Sequence, residues 1–320
     1  MHCITTAAMS ASEEISDAPT SAWFANQPYV LLSIAAACWA GNAIVGRLAA
    51  GHIPPVTLAF LRWGLGFLII LPVSWKHLKR DWPAIRAKFG LMTFLSVIGI
   101  AGFNTLQYWA LEYTQALNTL LLQSTGPLYV ACWSLVLFGI RLTPAQAIGI
   151  VVSLTGVLVI LLHGDVAAIA AIDFNKGDII FLVALLIFGL YSVMSLKRPA
   201  IHDLSFTAFT FACGSAVLIP PLIFELFWRP VMQLNVTNLL SVVYVAVFPS
   251  TIAYLCYNRS VHLIGANRAA PFFHAVPVFG SAMAIVFLGE RPQVFHLIGF
   301  ALVLTGIFAA SRKPPVVTPG

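Results

Sequence analysis

Ten apolar stretches of about 20 residues, separated by short polar breaks, follow one another between residues 29 and 311, and this succession limits the possible folds more than any other feature. Each stretch is long enough to cross a ~30 Å hydrocarbon core as a helix. The expected spans are 29–50, 56–75, 89–110, 116–138, 144–163, 177–196, 205–225, 237–257, 266–288 and 292–311. The breaks carry Pro54 and Pro55, Pro83, Pro144, the Gly177 and Asp178 pair, Pro199, Pro230 and Pro292. A proline there starts the next helix without losing a needed donor. Strands are not expected, because lipid admits only closed barrels and these runs are too long and continuous for barrel alternation. Composition agrees: the chain is 60% hydrophobic and 9% charged, against roughly 25% charged in soluble proteins.

The formal charge of +6 follows from the distribution of Lys and Arg, not from a nucleic-acid partner. With the N-terminus inside, twelve fall on the cytoplasmic side: Lys76, Lys79, Arg80, Arg86, Lys88, Arg141, Lys197, Arg198, Arg259, Arg268, Arg312 and Lys313. Arg47, Lys176, Arg229 and Arg291 fall opposite. This asymmetry predicts both termini in the cytoplasm. Residues 1–28 hold Glu13, Glu14 and Asp17 but no Lys or Arg and no long apolar run, the pattern of a disordered cytoplasmic tail rather than a signal peptide. Residues 312–320 form a second short tail. The five cysteines are scattered, so neither a disulfide framework nor a metal site is expected.

An internal repeat divides the ten stretches into two sets of five. Pro127 recurs as Pro277, Gly149 as Gly299, and Leu154, Thr155 and Gly156 as Leu304, Thr305 and Gly306, all displaced by 150 positions. Farther out, Trp39 meets Phe188 at an offset of 149, and Gly66 and Pro72 meet Gly214 and Pro220 at 148. Five is odd, so the second set enters the membrane from the opposite side. The expected architecture is an all-α membrane protein of ten transmembrane helices in two inverted five-helix repeats, residues 29–163 and 177–311. Secondary transporters are recurrently built this way, around a site near the membrane midplane.

Polar and aromatic groups recur at equivalent depths in the two halves. Asn104, Gln107 and Tyr108 share a face of the third helix, and their mates at offset 150 are Tyr254, Tyr257 and Asn258 in the eighth. Trp39 and Asn42 share a face of the first helix, as do Phe188, Tyr191, Ser192 and Ser195 in the sixth. His274 in the ninth helix matches Ser124, beside Gln123, in the fourth. Any one of these has a plain structural reading as an interhelical hydrogen bond or, for Tyr108 and Tyr257 near helix ends, as an interfacial anchor. Together they read as the lining of an interior cavity, because a polar face is costly in lipid.

Ionisable groups are sparse within the spans. His274 reads either as a proton carrier or as a neutral donor to solute or backbone. Arg62, about six residues into the second helix, reads as snorkelling or pairing, and no acidic residue lies deep enough to be its partner. The matched glycines, Gly149 with Gly156 and Gly299 with Gly306, lie seven apart on one stripe and read as close helix packing, within the chain or across a dimer. The matched prolines read as kinks. No His-Glu-x-x-His pair, Gly-x-Ser-x-Gly elbow, phosphate loop or intramembrane aspartate pair is present, so no enzyme activity and no cofactor is expected.

The two five-helix repeats, Trp39, the Tyr108 to Leu111 segment followed by Ala116 and Pro127, and the Gly149 to Gly156 ending repeated at Gly299 to Gly306 resemble the EamA type of the drug/metabolite transporter superfamily, over residues 29–311. The resemblance implies a basket of ten helices in a bacterial inner membrane. Its cavity would be bounded by the first, third, fourth, sixth, eighth and ninth helices, with the fifth and tenth as outer supports. Export is the common direction in that family. The family's cavity positions fall here on Gln107, Tyr108, Gln123 and Ser124, and Trp39, Tyr191, Tyr254, Tyr257 and His274 could serve as the aromatic lining of its amino-acid exporters.

The candidate substrate-binding residues are therefore Trp39, Asn42, Asn104, Gln107, Tyr108, Gln123, Ser124, Tyr191, Tyr254, Tyr257 and His274. The expected function is alternating-access export of a small polar metabolite, foremost an amino acid or related compound. The alternatives are a multidrug or hydrophobic-cation exporter and a non-transporting membrane sensor of the same fold. The expected partners are a small-molecule substrate and the lipid bilayer, with no nucleic acid; a monomer and a homodimer both stay open.

Overall fold

A computed structural model describes residues 24–165, 175–288 and 293–311, and these are helical with short connections. The expected tails fall almost wholly outside those residues; the described residues 24–27 form a turn ahead of the first helix. In chain order the helices are α1 (Pro28–Ala49), α2 (Pro55–Ala87), α3 (Phe89–Leu111), α4 (Asn118–Phe138), α5 (Pro144–Leu161), α6 (Lys176–Lys197), α7 (Asp203–Trp228), α8 (Val236–Ile264), α9 (Ala275–Leu288) and α10 (Val294–Ser311). All but α9 are long and apolar enough to cross a membrane, which makes nine among the described residues.

Local chemistry sets many of the boundaries. Proline opens α1, α2 and α5. Thr143 with Gln146 forms a capping box on α5, and Asn175 with Asp178 forms one on α6. Gly139 ends α4 in the left-handed region that a side chain disfavours. Leu48, Val136, Phe227 and Leu297 stand exposed on the outside of the bundle. Such a surface is suited to lipid, not water.

Two expected spans differ in form. The apolar run predicts the second at 56–75, with a polar loop at 76–88, yet α2 continues to Ala87 as a 33-residue helix. Lys76 to Arg86 end the apolar run without ending the helix, because their side chains need water while the backbone needs only its own hydrogen bonds. The ninth is expected at 266–288, and the chain there is broken. A four-residue helix, Ala266–Ala269, leads into a 3-10 turn over Ala270–His274 containing Pro271, and only then into the 14-residue α9. Proline removes the donor that a continuous helix would use. In the first half α4 has a matching interruption, a turn at Ser124 and Thr125 just before Pro127.

The packing is reciprocal between the halves. α1 lies against α8 and α9, and α6 lies against α3 and α4. α2 pairs with α7, and α5 with α10. At the last crossing, a Cβ added to Gly149 would lie 2.6 Å from the Gly306 carbonyl oxygen, and one added to Gly156 would lie 2.7 Å from that of Gly299. The matched glycines thus bring two backbones together inside one chain.

One feature of the elements has no counterpart in the apolar pattern. α3 widens into a π-helical segment at Ser96–Gly102, and α8 does the same at Ala246–Ile252. Their boundaries are 150 positions apart. A π segment displaces carbonyls from the regular ladder and frees them for side chains.

Candidate functional site

Freed carbonyls are where the central cluster begins. In α3 the Gly99 carbonyl accepts a hydrogen bond from Tyr254 Oη at 2.9 Å. At the equivalent place in α8 the Pro249 carbonyl accepts from Trp39 Nε1 at 3.2 Å and from Arg62 Nη2 at 3.0 Å. Each π segment therefore anchors side chains of the other half of the chain. All eleven candidate residues are less than one-tenth exposed. That burial removes the interfacial-anchor reading of Tyr108 and Tyr257.

The first group surrounds Arg62, which is fully buried on α2. Its Nη1 donates to Asn42 Oδ1 at 3.1 Å and to Tyr108 Oη at 2.7 Å, and its Nε donates to Ser250 Oγ at 2.5 Å. Tyr108 Oη donates in turn to Asn42 Oδ1 at 3.0 Å, and Asn42 Nδ2 reaches Gln107 Oε1 at 3.3 Å. The guanidinium also lies 4.6 Å from the Trp63 ring centroid, a favourable cation–π arrangement.

The second group is aromatic. Trp39 stacks on Phe273 with centroids 5.5 Å apart, lies 5.2 Å from Tyr257 and meets Phe188 and Tyr254 edge-on. Tyr191 Oη donates to Asn258 Oδ1 at 2.8 Å, Tyr257 Oη shares a hydrogen bond with Ser192 Oγ, and Asn104 Nδ2 donates to Tyr254 Oη at 3.1 Å. Asn42 with Tyr108 and Tyr191 with Asn258 are thus the same tyrosine-to-asparagine bond, with the two residue types exchanged between the halves. Trp63 bridges the groups, its ring 5.0 Å from that of Tyr254.

The third group stands between α4, α5 and the turn before α9. His274 Nε2 donates to the Ser124 carbonyl at 2.5 Å, and Nδ1 meets Ser153 Oγ. In a neutral ring the first bond leaves Nδ1 as an acceptor for the hydroxyl. Both ring nitrogens are engaged with protein in this conformation, and Ser153 Oγ also lies within hydrogen-bond distance of the Gly149 and Ile150 carbonyls. Gln123 is buried beside Ser124.

Among the described residues, three polar atoms of the central cluster have no hydrogen-bond partner: Trp63 Nε1, Asn104 Oδ1 and Asn258 Nδ2. Buried polar groups are seldom left so, and a polar solute could satisfy them. Trp63, Phe273 and Ser250 escape a reading of the sequence, since a tryptophan, a phenylalanine and a serine in apolar spans are unremarkable alone. Arg62 did carry a signal, as a charge inside an apolar run without an acid.

Polar ties cross both ends of the bundle. At the end rich in Lys and Arg, Asp203 pairs with Arg198 and Arg259, Asp81 Oδ2 accepts from the His202 amide and Ser205, and Arg259 reaches Ala25 and Asn26 ahead of α1. His202 stacks on His77 there at 3.9 Å, and burial followed by the neighbouring His77 lowers its pKa below the usual histidine value. At the other end Arg229 forks onto Glu112, and the Glu225 carboxylate accepts from the Val56 and Thr57 amides that open α2. A cleft of about 210 Å³ remains there, lined by His52, Glu112, Arg229 and Asn238 among others.

Comparison with known proteins bears on this arrangement. The model of the EamA-like transporter family matches residues 27–162 and again residues 175–312. The uncharacterized transporter YyaM of Bacillus subtilis (strain 168) is 29% identical over 274 residues, spanning 83% of this chain and 88% of that protein. A protein of Escherichia coli (strain K12) named a probable amino-acid metabolite efflux pump is 25% identical over 296 residues, spanning 87% and 93%. A solved crystal structure matches with a TM-score of 0.71 at 20% identity, covering 89% of this chain and 96% of that one. That likeness speaks to the fold alone.

Proposed function

The chain belongs to the EamA-like transporter family, and from that premise we propose that it exports a small polar metabolite, foremost an amino acid or related compound, by alternating access across a bacterial inner membrane. The proposal includes a tenth crossing formed by the broken segment 266–288, two inverted five-helix units at 29–163 and 177–311, and both termini in the cytoplasm. Twelve of the seventeen Lys and Arg support that orientation.

The observation that carries the reading is the central cluster itself. α1, α2, α3, α6 and α8 contribute polar and aromatic groups from both halves to one buried place, and Trp63 Nε1, Asn104 Oδ1 and Asn258 Nδ2 stand there without a partner among the described residues. A solute with both donors and acceptors would pair them, and the faces of Trp39, Tyr254, Tyr257 and Phe273 would hold its apolar part. The ties at the two ends would then open alternately. Trp39, Asn42, Asn104, Gln107, Tyr108, Tyr191, Tyr254 and Tyr257 are the contact residues in this scheme, with Gln123, Ser124 and His274 at its edge. The name of the Escherichia coli relative supports the solute class.

A hydrophobic-cation exporter is the second reading. The aromatic group favours it, and the fixed charge of Arg62 opposes it.

The test is uptake of labelled amino acids into proteoliposomes preloaded with the same unlabelled compound. Gln107→Ala and Tyr254→Ala should each lower exchange at least about ten-fold, as expected for removing a buried hydrogen-bonding contact. Unchanged exchange in folded protein would remove these residues from the site.

A further inference from the structure

Arg62 presents an electrostatic imbalance that the fold does not resolve. A guanidinium keeps its charge in proteins, and a charge inside a membrane protein is costly unless it is paired or faces a functional cavity. Arg62 is fully buried, and its hydrogen-bond acceptors are all neutral: Asn42 Oδ1, Tyr108 Oη, Ser250 Oγ and the Pro249 carbonyl. The Trp63 face supplies partial compensation. None of the acceptors is a carboxylate. Among the described acidic residues, Glu112 is engaged with Arg229, Glu225 with the start of α2, Asp178 with Thr114, Asp81 with Ser205, and Asp203 with Arg198 and Arg259, while Asp165 lies in the turn beyond the end of α5.

The repeat argues that the scaffold has no need of this charge. On the 148-residue offset that relates Gly66 to Gly214, the mate of Arg62 is Thr210. Thr210 is equally buried and bonds back to the Phe206 and Thr207 carbonyls of its own helix. One half fills the position with a neutral side chain satisfied locally, and the other fills it with a cation satisfied by three other elements. The cation also sits where the solute would be. Trp39 shares the Pro249 carbonyl with it, and Trp63, whose Nε1 lacks an acceptor, joins it to the aromatic group.

We propose that Arg62 is the receptor for a carboxylate on the transported solute. Resting on the reading of the central cluster as a transport site, this names the charged group that the solute must carry. The carboxylate takes the Nη1 edge of the guanidinium, where Asn42 Oδ1 and Tyr108 Oη accept in this structure. Nε and Nη2 stay anchored on Ser250 and Pro249, so α8 registers occupancy through the same side chain that binds. Exchange of two neutral acceptors for an anion completes the missing ion pair, a stronger and more directional contact. An amine lacking the carboxylate meets a fixed positive charge and is rejected.

The experiment uses purified full-length protein and pairs of probes, the common amino acids and their carboxamides, with thermal stabilisation as the readout. Free acids should stabilise the wild-type protein and their carboxamides should not. Arg62→Gln should bind the stabilising acids at least about ten-fold more weakly, the scale expected when one member of a buried charge pair is removed. Arg62→Lys should retain part of the affinity. Equal stabilisation by acid and carboxamide would overturn the proposal, as would undiminished acid binding by folded Arg62→Gln. The comparison within wild-type protein decides even if Arg62→Gln fails to fold. Carboxamide binding together with intact amino-acid exchange in proteoliposomes would sink the carboxylate assignment and leave the transport reading standing. No stabilisation by any acid, with no exchange, would sink both.

Discussion

Two tyrosines make the same bond in the two halves and differ in what lies beyond it. Tyr108 Oη donates to Asn42 and also accepts from Arg62, whereas Tyr191 Oη donates to Asn258 alone among these partners. Removing either hydroxyl costs a neutral hydrogen bond, about 0.5–1.5 kcal/mol, but removing that of Tyr108 also leaves a charged donor short of an acceptor, worth about 1.5–3 kcal/mol. Tyr108→Phe should therefore lower the melting temperature more than Tyr191→Phe does. Equal losses in a thermal-unfolding series would mean that Arg62 draws little from this contact. Sequence periodicity placed Asn42, Tyr108, Tyr191 and Tyr254 on interior faces, because the side chains on one helix share a face by spacing alone. It did not reveal the partners. Arg62 meets Ser250 and the Pro249 carbonyl, 188 and 187 residues away, and those contacts depend on packing and on a widened turn that a 3.6-residue period does not describe.

At the scale of elements, the chain uses special backbone where the central cluster takes up carbonyls and plain helix where two helices meet. The π segments of α3 and α8 carry Gly99 and Pro249 into the cluster. The α5 and α10 pair is regular, and its glycines set the approach distance. Gly156→Leu would drive a side chain into the Gly299 carbonyl and the Val303 amide. Overpacking of this kind costs about 1–3 kcal/mol, so the melting temperature should fall, while Val151→Leu on the exposed face of the same helix should leave it unchanged. A Gly156→Leu protein as stable as wild type would show that the backbones can separate freely. The close packing of these glycines was legible in the sequence because small residues at a seven-residue spacing have one dominant use in lipid, but their partner was not, since packing within the chain and packing across a dimer give the same stripe. The extension of α2 was not, since counting apolar residues locates the bilayer boundary and not the end of the helix. The break before α9 was half legible: Pro277 marked a kink, but the 3-10 turn around Pro271 and His274 reflects their packing against α4 and α5.

For the whole molecule, the halves correspond closely in frame and differ in the central cluster. Tyr108 pairs with Asn42 where Asn258 pairs with Tyr191, and Arg62 stands where the other half has Thr210. The frame includes a consequence in the glycine crossing. Gly149 faces Gly306 and Gly156 faces Gly299, and the repeat relates Gly149 to Gly299 and Gly156 to Gly306. Residue i thus touches the counterpart of j, and j touches the counterpart of i, the rule of an isologous interface between identical subunits. The seam is self-complementary although it lies within one polypeptide. Cutting the chain between residues 165 and 175 and co-expressing the pieces should return a complex that co-purifies from detergent, and failure to co-purify would mean that the covalent link holds what the seam does not. The connection between the halves is, on this view, a covalent link across an interface whose own contacts obey the rule of a two-fold dimer.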